Sequence, residues 1–144
     1  SDSAARMRTL KWLFWQTSNL GPVLGNFSHY ASALAKDETQ LNNFLIQTRA
    51  TEPNMQAIKR FTKESLRLLA VLNQALAERD YISGDISIAD FAAFPWVEST
   101  WQGFKLLNPQ LEAEFIHITS WMERLASRPR LSRGMQKLAW GTNL

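Results

Sequence analysis

An all-α fold is predicted from three observations. Apolar residues recur at steps of three and four over long stretches, the spacing of one helical face. No stretch keeps the period-two alternation of a half-buried strand for more than a few residues. The segment Ile86-Ser87-Ile88-Ala89-Asp90-Phe91 also carries a complete helix-start signal. Ser87 is placed as an N-cap, its hydroxyl accepting from the N–H of Asp90, and the Asp90 carboxylate reaches back to the N–H of Ser87, closing a capping box. Ile86 and Phe91 stand where a hydrophobic staple would join them.

The first helix is expected to begin near Ser3, with Met7, Leu10, Leu13, Phe14 and Thr17 along one side. Trp12 and Trp15 leave it apolar on a second side, as expected of a helix that meets another domain or subunit. Gly21-Pro22 should break or kink it, because proline lacks an N–H and clashes with the preceding turn. Leu24, Phe27, Tyr30, Ala31 and Leu34 then continue it. Lys36 to Pro53 is polar and reads as irregular, with a turn or two of helix over Leu41 to Gln47.

A second long helix is predicted over about Asn54 to Glu78, its apolar face being Ile58, Phe61, Ser65, Leu69, Leu72 and Leu76. Arg60 and Glu64 are spaced as an i,i+4 pair on another face. The helix after the capping box, with Ile88, Phe91, Ala92 and Trp96, is apolar almost all round, which suits a bundle centre. Pro95 should kink it slightly. Asn108-Pro109 opens a connection, and Phe115, Ile118, Trp121, Met122 and Leu125 mark an amphipathic helix ended by Arg128-Pro129. A short last helix spans Leu131 to about Trp140. Trp96 and Trp121 fall on apolar stripes and read as core.

Composition narrows the function. A chain of 144 residues fits one domain over 1–144. Cys is absent, which excludes disulfides, thiolate catalysis and Cys-type zinc sites within this sequence. No apolar run approaches the ~20 residues of a membrane span, and nothing resembles a signal peptide, so a cytoplasmic location without membrane contact is expected. The net charge of +3 is spread over three groups and interrupted by Glu64 and Glu123, which argues against a nucleic-acid partner. His29 and His117 lack the local partners of a hydrolytic triad, and Asp80, Asp85 and Asp90 have no metal-loop spacing.

The frame Tyr81-Ile82-Ser83-Gly84-Asp85-Ile86-Ser87-Ile88-Ala89-Asp90 resembles the segment that caps the central helix of the glutathione transferase C-terminal domain. Leu10 to Gln16 with Leu20 to Asn26 is similar to the opening helix of that domain in the bacterial Nu-class branch, which includes disulfide-bond reductases. Trp121-Met122-Glu123-Arg124 followed by Arg128-Pro129 is similar to its ending. The resemblance covers about Ala4 to Ala139. It implies a helical bundle of about five to six helices without a sheet, and an N-terminal thioredoxin-like domain, outside this sequence, that holds the co-substrate glutathione and activates its thiol. It further implies a homodimer and, as second substrate, a small hydrophobic electrophile or a disulfide. No catalytic residue is expected within these 144 residues.

The resemblance assigns candidate site residues with two readings each. Gly21, Pro22, Asn26, His29 and Tyr30 border the hydrophobic-substrate pocket in that family; otherwise they form a packing kink with surface polar groups. Ala57-Ile58-Lys59-Arg60-Phe61 matches a Nu-like segment whose arginine reaches the neighbouring subunit's glutathione; otherwise Arg60 is a surface residue paired with Glu64. Ser87 and Asp90 are expected to be structural caps. A non-catalytic docking module, of the kind attached to translation factors, is the alternative for the whole chain.

Overall fold

The computed structural model describes residues 3–34 and 52–138, and the readings made for Lys36 to Thr51 and for Ala139 and Trp140 lie outside the described residues. The order of elements is α1 (Ser3–Trp15), a π-helical turn (Gln16–Leu20), α2 (Gly21–Ala31), a 3-10 turn (Ser32–Leu34), α3 (Met55–Leu76), α4 (Ile88–Leu107), a short α5 (Leu111–Glu114), α6 (Ile116–Ala126) and α7 (Pro129–Leu138). Between α3 and α4 the bridges Tyr81–Gly84 and Ser83–Asp85 shape a tight loop, and no sheet forms among the described residues. Gly84 takes φ 108°, a backbone conformation that favours glycine, and its N–H donates to the Tyr81 carbonyl at 3.0 Å.

The break expected at Gly21-Pro22 is spread over the turn before it. The Gly21 N–H donates to the carbonyl of Gln16, five residues back. Three polar side chains of this turn bond back to carbonyls four residues earlier, a pattern that favours bending. Thr17, Ser18 and Asn19 donate to the carbonyls of Leu13, Phe14 and Trp15 at 2.9, 2.7 and 3.4 Å. Pro22 then sits in the first turn of α2, where a missing N–H costs little.

α2 packs on α3 and α4, α3 packs on α6, and α1 lies along α4. One core joins Leu20, Leu24 and Phe27 to Leu68, Leu69 and Leu72 of α3, to Phe94, Val97 and Phe104 of α4, and to Ile118, Trp121 and Leu125 of α6. Phe27 and Phe104 stack at 4.0 Å, their ring planes 9° from parallel, where α2 crosses α4. The start of α6 is capped from a distance: Asn73 of α3 accepts from the N–H groups of His117 and Ile118, each at 3.1 Å.

Several expectations are corrected. On α1, Met7 and Phe14 are 64% and 71% exposed, and the residues that meet the core are Trp12 and Trp15. Of the two apolar sides expected for α1, the one with Trp12 and Trp15 packs on the core. Glu64 pairs with Arg67, not Arg60, through two bonds of 2.9 and 2.7 Å, the acid lying N-terminal to the base as the helix dipole favours. On α4 the buried face is Ala89, Asp90, Ala93, Phe94, Val97, Thr100, Trp101 and Phe104. Ile88 and Phe91 lie on its exposed side. The last helix begins at Pro129, two residues early, since proline suits a first turn.

Candidate functional site

The candidate residues of the first helix fall on α2, whose inner face, Leu24 and Phe27, is fixed in the core. The opposite face carries Pro22, Asn26 and His29, and its two edges are aromatic. Along one edge, Gly21 and Gly25 lie one turn apart against the indole of Trp96. A Cβ at Gly21 would stand 3.2 Å from Trp96 Cε2, and one at Gly25 would stand 3.3 Å from its Cζ3. The absence of a side chain at both positions lets the indole lie close on the helix backbone, most tightly at Gly21.

Along the other edge, Tyr30 stacks on Phe61 of α3, with ring centroids 5.6 Å apart and planes 7° from parallel. His29 meets Tyr30 edge to face at 4.9 Å. The Arg60 guanidinium lies over the other side chain of this stack, 5.7 Å from the Phe61 centroid. The structure therefore brings His29, Tyr30 and Arg60 into one row through Phe61. Pro22 and Asn26 stand on the adjoining exposed surface, where the Asn26 amide donates to the Pro22 carbonyl at 2.8 Å. Gly21 is buried under Trp96 and reaches that surface only through the indole.

Ser87 and Asp90 lie in the loop and first turn of α4. The capping box is closed in both directions, and Ser87 Oγ also accepts from the Ala89 N–H at 3.2 Å. Asp90 is fully buried and does more than cap. Its Oδ2 accepts from the Ser87 N–H at 2.9 Å and the Ser87 hydroxyl at 3.2 Å. Its Oδ1 accepts from the Ile82 N–H at 2.9 Å and the Trp121 Nε1–H at 3.0 Å. A hydroxyl chain runs outward from it: Thr9 of α1 donates to Ser83 at 3.2 Å, and Ser83 donates to Ser87 at 3.0 Å. One carboxylate thus ties α1, the loop, α4 and α6 together.

A separate polar cleft of about 350 Å³ opens between the end of α3 and α6, lined by Glu78, Arg79, Asp80, His117, Ser120 and Arg124 among others. Arg124 is already engaged there, donating to the Asp80 carbonyl through Nε at 3.2 Å and Nη2 at 3.0 Å. His117 belongs to this cleft, while His29 belongs to the aromatic row. No group of three or more His, Asp or Glu side chains suited to a metal ion occurs among the described residues. None of the described helices is long and apolar enough to cross a membrane.

Sequence reasoning missed Phe61 as a site residue, Trp96 as the partner of two glycines, and Asn73 as a cap. The Gly21–Gly25 spacing, one helical turn, is the signal that a flat partner lies against α2. Spacing alone places Phe61 on the apolar face of α3.

Comparisons with known proteins fit this geometry. Residues 29–129 match the family model for the glutathione S-transferase C-terminal domain. The chain is 33% identical over 142 residues to the disulfide-bond oxidoreductase YfcG of Escherichia coli (strain K12), covering 97% of this chain and 56% of that protein. It is 32% identical over 143 residues to YghU, a second disulfide-bond oxidoreductase of that organism, covering 92% of this chain and 42% of that one. Among solved structures it is similar to a glutathione transferase from Burkholderia graminis with two glutathione molecules bound per subunit (TM-score 0.74, 28% identity, 98% of this chain and 53% of that one). It is similar also to the glutathione transferase YghU from Streptococcus pneumoniae, complexed with glutathione (TM-score 0.71, 30% identity, 94% and 48%). The chain spans about half the length of these relatives. By the family match over most of its length and by its all-helical fold, this chain belongs to the glutathione S-transferase C-terminal domain family.

Proposed function

We propose that this chain is the helical part of a glutathione-dependent enzyme that conjugates glutathione to electrophiles or uses it to reduce disulfides. The outer face of α2, from Pro22 through Asn26 to His29, with Tyr30 and the Trp96 indole at its edges, forms one wall of the acceptor site. Such a wall offers an apolar substrate the ring surfaces of His29, Tyr30 and Trp96 and the Pro22 ring, with the Asn26 amide already bonded to the Pro22 carbonyl. Arg60, on the exposed side of α3, binds a carboxylate of the glutathione held by a partner subunit. Its planar fork matches a carboxylate in two-point fashion, and no salt bridge among the described residues occupies it. Bound glutathione supplies the thiol, and a thioredoxin-like domain activates it. The apolar outer side of α1, Met7 and Phe14, meets that domain or a second subunit.

The observation that carries this reading is the convergence of His29 and Tyr30 of α2 and Arg60 of α3 on one aromatic row. Calorimetric titration of the full-length protein with glutathione tests it. Arg60→Ala is expected to weaken binding about tenfold, the range for losing one charge-assisted contact, with the melting temperature unchanged. Equal affinity in the two proteins would remove Arg60 from the site.

A further inference from the structure

Phe61 occupies a position that the proposed chemistry does not use. Its ring is half-buried, packed against the core on its inner side. One neighbour is Tyr30, stacked nearly parallel at 5.6 Å. Another is the guanidinium of Arg60, at 5.7 Å from the ring centroid. An arginine on an exposed helix surface has many rotamers, and ordering it costs side-chain entropy on binding. A guanidinium resting on a ring face has fewer. The ring is itself held in its plane by the stack with Tyr30, which belongs to a different helix.

We propose that Phe61 is a positioning residue for Arg60, and that the Tyr30–Phe61 stack couples the α2 wall to the affinity of Arg60 for glutathione. This rests on the proposed role of Arg60. A molecule lying against His29 and Tyr30 contacts the first ring of the row, so anything that tilts or fixes Tyr30 is felt by Phe61 and then by the guanidinium. The coupling is reciprocal, as linkage requires: an acceptor that steadies Tyr30 tightens glutathione binding, and glutathione tightens acceptor binding by the same factor. The route is short, one ring contact and one cation–ring contact, and needs no rearrangement of the backbone.

The test is a mutant cycle in the full-length protein, read by glutathione calorimetry with thermal melts alongside. Phe61→Leu is expected to weaken glutathione binding about three- to fivefold, the range of a cation–ring contact at a partly exposed site. Phe61→Tyr, which keeps a ring face, is expected to restore it. In an Arg60→Ala background Phe61→Leu is expected to change nothing further. Tyr30→Leu is expected to act in the same direction as Phe61→Leu and to reduce the effect of a hydrophobic acceptor analogue on glutathione affinity. An equal loss from Phe61→Leu with and without Arg60 would overturn the positioning role. So would a Phe61→Tyr protein as weak as Phe61→Leu, or wild-type affinity in Phe61→Leu. If Arg60→Ala itself binds normally, the assignment of Arg60 fails first and the coupling falls with it; if Arg60→Ala binds weakly while Phe61→Leu binds normally, only the coupling fails.

Discussion

Trp121 of α6 donates its indole N–H to Oδ1 of Asp90 at 3.0 Å, and both side chains are completely buried. The bond joins a residue thirty-one positions away to the first turn of the central helix. It turns a local capping motif into a tertiary junction, because the same oxygen also accepts from the Ile82 N–H. A buried carboxylate is costly unless its lone pairs are used, and here donors reach both oxygens.

Asp90→Ala is therefore expected to cost more than the loss of a surface cap. Removing the carboxylate strands the buried N–H groups of Ile82 and Trp121 and the part-buried N–H of Ser87 at once, and each buried orphan donor costs about 1–3 kcal/mol. A destabilisation of roughly 3–5 kcal/mol follows, allowing for relaxation. Asp90→Asn keeps the shape but turns one acceptor into a donor, so it should lose about 1–3 kcal/mol. Urea melts of the three proteins measure the order. An Asp90→Ala protein within 1 kcal/mol of wild type would remove the junction from the account of stability, that value being about one ordinary cap.

Asn73 makes a comparable link without any sequence signature. Its side-chain oxygen caps α6 through two N–H groups, whereas Phe115, at the N-cap position itself, offers none. Asn73→Ala should cost about 1–2 kcal/mol, and Asn73→Asp should cost little, since it keeps the acceptor and adds a charge favoured at a helix N-terminus. Thermal melts distinguish the two. Equal losses from both substitutions would point to shape and not to the capping oxygen.

The Trp96 seat separates two glycines that are alike in sequence. At Gly21 an added methyl group would meet the Gln16 amide at 3.0 Å and the indole at 3.2 and 3.3 Å, so one neighbour on each side must move. At Gly25 it meets the indole alone, at 3.3 Å. Gly21→Ala is expected to lower stability by about 1 kcal/mol and to change Trp96 fluorescence. Gly25→Ala should be near neutral, its gain in helix propensity of about 1 kcal/mol offsetting a small displacement of the ring. Fluorescence spectra and melts of both variants check this, and a more damaging Gly25→Ala would reverse the reading of the seat.

Glu98 of α4 gives a pH dependence. Its carboxyl group is partly exposed, yet the surrounding protein desolvates it and raises its pKa above the ordinary glutamate value. A carboxyl that holds its proton more tightly when folded favours the folded state below the unfolded pKa. That contribution is lost as pH rises through the folded value. Glu98→Gln is thus expected to raise the melting temperature at about pH 7 and to lose this advantage toward about pH 4. A difference independent of pH would remove desolvation as its cause.

The fold was legible in the sequence because most of its signals are local. Asn54 caps α3 through the Ala57 N–H at 2.9 Å, and the α3 face of Ile58, Ser65, Leu69, Leu72 and Leu76 is buried as the spacing requires. Asn108 closes α4 and accepts from the Gln110 N–H at 3.0 Å, the turn expected before Pro109. The pattern failed where a helix has two apolar sides. On α1 the spacing puts Met7, Leu10, Leu13, Phe14 and Thr17 along one side and Trp12 and Trp15 on a second, and only the structure shows that Trp12 and Trp15 meet the core while Met7 and Phe14 stand exposed. The candidate site was legible only as residue types on α2 and α3. The row from His29 to Arg60 depends on how two helices cross, and no spacing along the chain encodes that contact.

The isolated 144-residue chain is expected to fold, to bind an apolar dye, and to show no glutathione turnover. Folding follows from a core that spans α2, α3, α4 and α6 and from a central junction whose donors all lie within the chain. Turnover requires an activated thiol, and under the proposed function the groups that activate it belong to a thioredoxin-like domain. Dye binding follows from Phe14 and Met7, two large apolar side chains that stand exposed on the outer side of α1. Phe14→Ser should lower dye fluorescence without changing the melt, because Phe14 is 71% exposed and contributes little to the core. Conjugation of glutathione to a chromogenic electrophile, measured on the same samples, completes the test. Clear turnover would place the active site within these helices and would overturn the division of labour proposed for the two domains.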